Sequence, residues 1–385
     1  MGNVYVIESI GNRGQVFTPG GAWLTTFGAT GTSETLFSVP YGMAVGSDRT
    51  VYVADTFNHR ISKWDVSIPT AETEVAGVSR YLTAIEASKK AYPDGADTAV
   101  LATGANWPDA LGGAALAGTL DAPLLLTPPD ALSADVAAEL ERLGVKGVYI
   151  LGDTGAVSDD VLNAAKALTS LGAAVRLGGL SRYETANAIA DRVVLLRGSE
   201  YDGTAFVCTG TGFADALAAA PIAAANGWPI YLTQPTVLTP STRVSMVANG
   251  SNHGYVIGGT NAVSAAVAAD LEDMSPLPPT AFSRYGGVDR YDTAARVAEA
   301  GFDGMGMLWS RPALATGSNF PDALAGGVLQ GSDCSVLLLT RGDTLSPDVA
   351  ALLSAHKDEI YEIRYLGGTG VLMPAVRTAA QALLW

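Results

Sequence analysis

Beyond residue 98 the chain alternates short apolar runs with longer stretches of helical period. Residues 98–102 (TAVLA), 124–126 (LLL) and 148–151 (VYIL) are almost continuously apolar and bounded by turn residues, the pattern of strands buried on both faces. The stretches between them carry helix starts: Ser133 precedes ADVAAEL, Ser158 precedes DDVLNAAKAL, and Ser346 with Pro347 precedes DVAALLSAH. The alternation predicts β-α units, and therefore parallel, doubly wound, Rossmann-like sheets of about 100 residues each.

The pattern is also repeated. ATGANWPDAL (102–111) returns as CTGTGFADAL (208–217) and ATGSNFPDAL (315–324), so that Asp109, Asp215 and Asp322 are spaced by 106 and 107 residues. Thr127, Thr233 and Thr340 end the runs PLLLT, PIYLT and VLLLT, each 18 residues after its aspartate. YILGDTGAVS (149–158), YVIGGTNAVS (255–264) and RYLGGTGVLM (364–373) follow, and VAGVSRYLTA (75–84), LGGLSRYETA (177–186) and YGGVDRYDTA (285–294) open the units. Self-similarity of this kind means tandem modules. All four motifs fall where a strand ends and a helix begins, which is the ligand-binding edge of an open α/β sheet.

Composition narrows the partners. Apolar residues make up 48% and charged residues 16% of 385 positions, which suits several densely packed domains. A net charge of −15 argues against nucleic acid or an anionic membrane held by bulk electrostatics, and no run of about 18 apolar residues suggests membrane insertion. Cys208 and Cys334 form no disulfide framework, and His59, His253 and His356 show no metal-ligand spacing, so no metal or cofactor is expected. The start, MGNVYVIESIGNRG, lacks a secretory pattern, which leaves a cytoplasmic chain or one that has lost its natural N-terminus.

Each recurring residue has a structural and a functional reading. Asp109, Asp215 and Asp322 are either helix caps or carboxylates that accept from sugar hydroxyls or hold a cation bridging to an anion. Thr154, Thr260 and Thr369 sit in Gly-Thr turns that are either tight connections or phosphate cradles. Thr127, Thr233 and Thr340 are caps or ligand donors. Arg80, Arg182 and Arg290, followed by Tyr81, Tyr183 and Tyr291, begin helices at the end that disfavours cations, so they either bridge to a neighbouring unit or capture a phosphate or carboxylate. With one recurring carboxylate and no recurring His or Cys, the units read as non-catalytic, and three weak sites on one chain suggest avidity for a repeating polymer.

Together these motifs resemble the cell wall binding repeat type 2 family over about residues 73–385. The resemblance implies three modules about a pseudo-threefold axis, packed against one another, that anchor a Gram-positive surface protein to an anionic wall polysaccharide. Departures from the pattern fall at Ala76, Leu82, Asp153, Gly212, Ala214 and Val336. Residues 37–65 resemble an NHL repeat, and residues 2–28 the later strands of a preceding blade, paired through NRGQ and PGGA turns. That is about one and a half propeller blades where a closed propeller needs at least about four.

The expected organisation is a partial propeller over 1–68 and modules over 73–170, 171–276 and 280–385. The expected function is non-enzymatic wall anchoring, with a protein partner for the propeller segment left open. The alternatives are the anchor part of a wall-turnover enzyme such as an amidase, and a small-molecule or nucleotide-binding α/β protein. The latter would need a G-x-G-x-x-G or P-loop pattern that the chain lacks.

Overall fold

A computed structural model describes residues 3–17, 21, 23–46, 50–66, 70–274 and 281–384. The expected boundary residues 68, 276 and 280 lie outside these, as does most of the PGGA turn at 19–22. Two compact units emerge: residues 1–71 with 356–361 and 384–385, and the remainder, 72–355 with 362–383.

The first unit is an antiparallel β segment. Strands Val4–Glu8, Arg13–Phe17 and Trp23–Phe27 form one sheet, and Pro40–Val45, Thr50–Asp55 and Arg60–Asp65 another. Val16, Phe27, Phe37, Val51, Val53 and Val66 form one core, with the rings of Phe27 and Phe37 packed around Trp64. The first turn lies at residues 9–12 and not in NRGQ, because Arg13–Gln15 are already in the ladder and Asn12 takes the left-handed φ of 50°. His59 also adopts a left-handed φ, of 51°, closing the short helix Thr56–Asn58.

The second unit contains three four-stranded sheets. The first runs Ala173–Leu177, Gly147–Leu151, Thr98–Thr103, Leu124–Thr127, and the second Ile230–Thr233, Thr204–Thr209, His253–Ile257, Phe282–Tyr285, all parallel. The third runs Ser335–Thr340, Leu308–Thr316, Glu362–Leu366, and is completed by Ala71–Val75. One edge strand of every sheet is thus the one that precedes an R-Y helix, and the strand before the first R-Y helix completes the last sheet. Each crossover carries the chain from one module into the next, and the set closes on itself.

Those crossover helices, Arg80–Ala91, Arg182–Arg197 and Arg290–Gly304, start where they do because Ser79, Ser181 and Asp289 accept from backbone N–H groups of the first turn. Three small-residue helices, Gly113–Thr119, Ala214–Asn226 and Pro321–Ser332, pack on one another at the centre. Their approach needs missing side chains: a methyl on Gly331 would lie 2.5 Å from that of Ala224.

The third sheet has an ionic cluster where the others are apolar. Arg364, 2% exposed, reaches Asp333 (2.6 Å), Glu362 (3.3 Å) and Gln330 (3.0 Å), and Glu362 also accepts from Thr73 (2.6 Å) and Lys90 (3.0 Å). Burial works to raise the Glu362 pKa, but Arg364, Thr73 and Lys90 overcome it and hold the group at about 2.

Candidate functional site: three seams between modules

Each seam is assembled from two modules of the second unit. At the second, Asp215 lies over Gly258 of the Gly-Gly-Thr turn, and Arg290 arrives from the following crossover. At the third, Asp322 lies over Gly367 and meets Arg80; at the first, Asp109 lies over Gly152 and meets Arg182. The motifs therefore converge on one edge, but the arginine of one repeat joins the aspartate of the repeat before it. Gly152, Gly258 and Gly367 have φ of 98°, 109° and 101°, and a Cβ would collide with the aspartate at Gly258 and Gly367 and with Ala156 at Gly152, where Asp109 lies 3.2 Å away.

The arginines form the same contacts three times. Arg80, Arg182 and Arg290 donate from Nη1 to the carbonyls of Gly104 (2.5 Å), Gly210 (2.7 Å) and Gly317 (2.6 Å). Each guanidinium also stacks on an aromatic ring of the preceding repeat: Arg80 on Phe320 at 5.7 Å, Arg182 on Trp107 at 4.9 Å, Arg290 on Phe213 at 5.5 Å. Phe213 in turn contacts both Trp107 and Phe320, at 6.0 and 6.4 Å. None of the ion pairs among the described residues includes these arginines, so each acts on its seam aspartate through charge and not through a salt bridge.

The aspartates are not helix caps. The caps of the second and third central helices fall on Phe213 and Phe320, with no side-chain cap bond, and a capping carboxylate would have a lowered pKa. Here all three are raised. Burial raises Asp109 against hydrogen bonding from Thr185 and the charge of Arg182, with Asp153 adding to the rise, and burial raises Asp322 against Thr83 and Arg80. Asp215 is pushed up by burial to about 6, with Arg290 opposing.

The sign of that shift gives an expected result. A carboxyl whose folded pKa exceeds its unfolded value of 3.8 contributes stability below that value and loses it as pH rises through about 6. Asp215→Asn is expected to raise stability at pH 7.5 by on the order of 1–3 kcal/mol and to leave it nearly unchanged at pH 4, measured by thermal unfolding at both pH values.

Thr83, Thr185 and Thr293 support the seams and were not singled out from the sequence. Their hydroxyls accept from the N–H of Gly77 (3.1 Å), Gly179 (3.2 Å) and Gly287 (3.0 Å), while Thr83 and Thr185 also bond the aspartates. The recurring threonine of R-Y-x-T was the available signal. Also missed were Val78, Leu180 and Val288, equivalent residues just before each R-Y helix and 98%, 97% and 93% exposed.

Other expected site residues are placed differently. Thr127, Thr233 and Thr340 are fully buried, and the Thr233 and Thr340 hydroxyls bind the loop that leads to the next helix, accepting from Thr239 N (3.0 Å) and Ser346 N (2.9 Å). Thr233 and Thr340 are therefore loop fasteners, while the Thr127 hydroxyl donates to the carbonyl of the adjacent Pro128 (3.2 Å), and all three are buried away from a ligand. Tyr81, Tyr183 and Tyr291 lie against Gly104, Gly210 and Gly317, where a Cβ would strike the ring, so they wedge the strand-end turn whose carbonyl the arginine grips. Thr154, Thr260 and Thr369 are exposed at the seams.

The seams differ in detail. The second opens into a cavity of about 760 Å³ that includes Trp107, Asp215, Thr260, Val288 and Arg290, and the third into one of about 310 Å³ that includes Val78, Arg80, Asn319 and Asp322. In the first, Asp153 replaces a glycine and its Oδ1 accepts from Gly155 N (3.0 Å) and Ala156 N (3.1 Å), so a second carboxylate sits in the turn and occupies its donors.

Three copies of one seam in a closed set of modules define a tandem-repeat binding protein. The chain belongs to the cell wall binding domain 2 (CWB2) family, whose model matches residues 74–162, 176–268 and 284–377. It is 32% identical over 317 residues to the N-acetylmuramoyl-L-alanine amidase LytC of Bacillus subtilis (strain 168), covering 81% of this chain and 58% of that protein. To the amidase enhancer of the same organism it is 28% identical over 336 residues, covering 87% and 43%. The chain thus spans about half the length of these relatives. Its fold matches Cwp6 from Clostridium difficile with a TM-score of 0.70 at 21% identity, over 97% of this chain and 57% of that one. It matches Cwp8 from the same organism with a TM-score of 0.69 at 23% identity, over 87% and 59%. Membership makes this a cell wall binding protein of the Gram-positive surface. No helix among the described residues is long and apolar enough to cross a membrane.

Proposed function

We propose that the three seams bind an anionic wall polysaccharide, and that the chain is a non-catalytic anchor for whatever is joined to it. The observation that carries this reading is the trio Arg80, Arg182 and Arg290. In a chain of net charge −15, three arginines at equivalent positions enter no ion pair among the described residues, each fixed by a carbonyl and a ring behind it. A guanidinium held in this way is prepared for a phosphate or carboxylate, with little side-chain entropy left to lose. Val78, Leu180 and Val288 give the apolar face of a sugar ring a surface beside each charge, and Thr154, Thr260 and Thr369 supply hydroxyls at the rim. Activities carried in relatives' names, such as amidase, belong on this reading to the parts of those proteins that this chain does not match.

Cosedimentation with native walls, and with walls stripped of phosphate-linked polymer, tests the proposal. Binding should be lost on stripping and weaken as salt rises; binding that survives stripping unchanged would refute the anionic ligand. The seams should not contribute equally. Asp153→Gly, which removes a carboxylate from the first seam and frees its turn donors, is expected to strengthen wall binding about three- to tenfold, in keeping with one to two charge-assisted hydrogen bonds partly exposed to water. Titration of soluble polymer against both forms reads the difference.

For residues 3–66 we infer a partial NHL-type propeller. Support comes from the two antiparallel three-stranded sheets on one core and from the D-T-F-N-H-R stretch. Asp55, fully buried, accepts from Ser38 N (2.7 Å), Asn58 (2.8 Å) and Arg60 (2.9 Å), and Arg60 also reaches the Thr32, Ser33 and Leu36 carbonyls. This network pins the long loop between the two sheets.

A further inference from the structure

The three crossover helices differ at one informative place. Ten residues after the leading arginine stand Lys90, Arg192 and Ala300. In two copies this residue is a cation laid over the edge of the sheet its helix follows. Arg192 stacks on the ring of Tyr149 at 5.6 Å, and Lys90 Nζ lies 3.0 Å from Glu362, which is bonded to Arg364, the counterpart of Tyr149. In the remaining copy Ala300 is too short to do either, and a cavity of about 430 Å³ opens against Tyr255, the next counterpart of Tyr149, and Tyr285. Their rings are 5.7 Å apart and inclined by 37°, and Glu299 and Asp303 complete the wall on the helix side.

We propose that this cavity binds a primary ammonium group carried on a wall saccharide, which takes the place that the Lys90 and Arg192 side chains fill in the sibling copies. The π faces of the tyrosines attract a cation, the carboxylates at the rim add to that attraction, and the volume falls within the range of about 300–1,000 Å³ typical of small-ligand sites. Of the two arginines in the wall, Arg296 is neutralised by a carboxylate, and the charge that Arg284 keeps is set against the two rim carboxylates Glu299 and Asp303. Arg284 donates to the carbonyls of Gly258 (2.8 Å) and Ser264 (3.4 Å), as its counterpart Arg176 does to Gly152 (3.0 Å), and Arg296 is paired with Asp292 at 2.7 Å. Gly286 lines this cavity and the adjacent Gly287 lines the second seam, so the two sites share one turn. Only the identity of the carrier rests on the wall-polysaccharide reading; the ammonium specificity does not.

The test uses the full chain, titrated by calorimetry with a tetramer of β-1,4-linked glucosamine and with its fully N-acetylated counterpart. The free amine should bind at least about tenfold more tightly, the loss of one desolvated cation–π contact with its carboxylate partners. Ala300→Lys, the residue type found at this position in the first crossover helix, should abolish amine binding while leaving the thermal midpoint unchanged. Tyr285→Leu, matching Leu177 of the first sheet, should weaken amine binding severalfold and serves if the first variant does not fold. Absence of binding to the amine, equal binding of the two tetramers, or unchanged binding by both variants would overturn the proposal. Wall sedimentation of the unaltered chain is read separately, so failure of the arginine seams is not confused with failure of this site.

Discussion

Replacing Arg80, Arg182 and Arg290 together by alanine is expected to abolish sedimentation with native walls while the circular dichroism spectrum stays that of the folded chain. Each arginine contributes one charge-assisted interaction with the polymer, worth about 1.5 kcal/mol or more, so a single replacement should weaken binding about tenfold and all three about a thousandfold or more. The replacements remove a carbonyl hydrogen bond and a stack as well, but each guanidinium is only partly buried and leaves no buried charge behind, so the cost to stability should stay near 1–2 kcal/mol per site. Loss of the folded spectrum would make the arginines structural. Arginine to lysine separates charge from geometry: lysine keeps the charge but cannot grip the carbonyl while presenting a planar fork, and should recover only part of the affinity.

The largest expected effect on stability lies where the modules close. Arg364→Met removes the most buried member of the cluster that joins the strand Ala71–Val75, through Thr73, to Glu362, and leaves Asp333 to Arg311 (2.8 Å) and Glu362 to Arg311 (3.3 Å) and Lys90 (3.0 Å). A buried pair broken without any remaining partner costs about 3–5 kcal/mol, and with Arg311 and Lys90 still in place the loss should be about 2–3 kcal/mol. Unfolding in urea should show the loss as a lower midpoint at nearly unchanged slope. The same cluster sets an acid limit. Glu362 has a folded pKa of about 2 against an ordinary 4.5, so the stability it contributes, on the order of 3 kcal/mol, is fully present above pH 4.5 and is lost as pH falls towards 2. Glu362→Gln should be less stable than the unaltered chain at pH 7 and should lose that deficit on acidification. A variant equally stable at pH 7 would show that the cluster does not secure the closure.

The strands were legible because their runs are buried on both faces, and Leu124–Thr127 or Gly147–Leu151 could hardly be anything else. The modular character was legible because the four motifs recur in order. The strand order was not. Thr73 and Glu362 are 289 residues apart, and nothing in the pattern of apolar positions says that Ala71–Val75 completes the last sheet instead of opening the first module. For the same reason the sequence did not say which aspartate each arginine would join: Arg80 lies with Asp322 of the last repeat and not with Asp109 of its own. Spacing is measured along the chain, and a crossover helix delivers its first residue to the edge of the sheet just left. Thr340 and Asp322 were equally good candidates by type and position, but one hydroxyl is consumed by Ser346 and the other group faces an open seam. Only packing distinguishes them. Val78, Leu180 and Val288 escaped notice because an apolar residue next to a turn reads as core until its exposure is known.

The central claim is that an anionic wall polymer contacts the three seam arginines. It is tested most directly by NMR of the arginine Nε–Hε groups in the full chain as purified phosphate-linked wall polymer is added. The account predicts that the signals of Arg80, Arg182 and Arg290 move together with the polymer, those of Arg364 and Arg60 staying in place. Polymer binding with all three seam signals unmoved would contradict it.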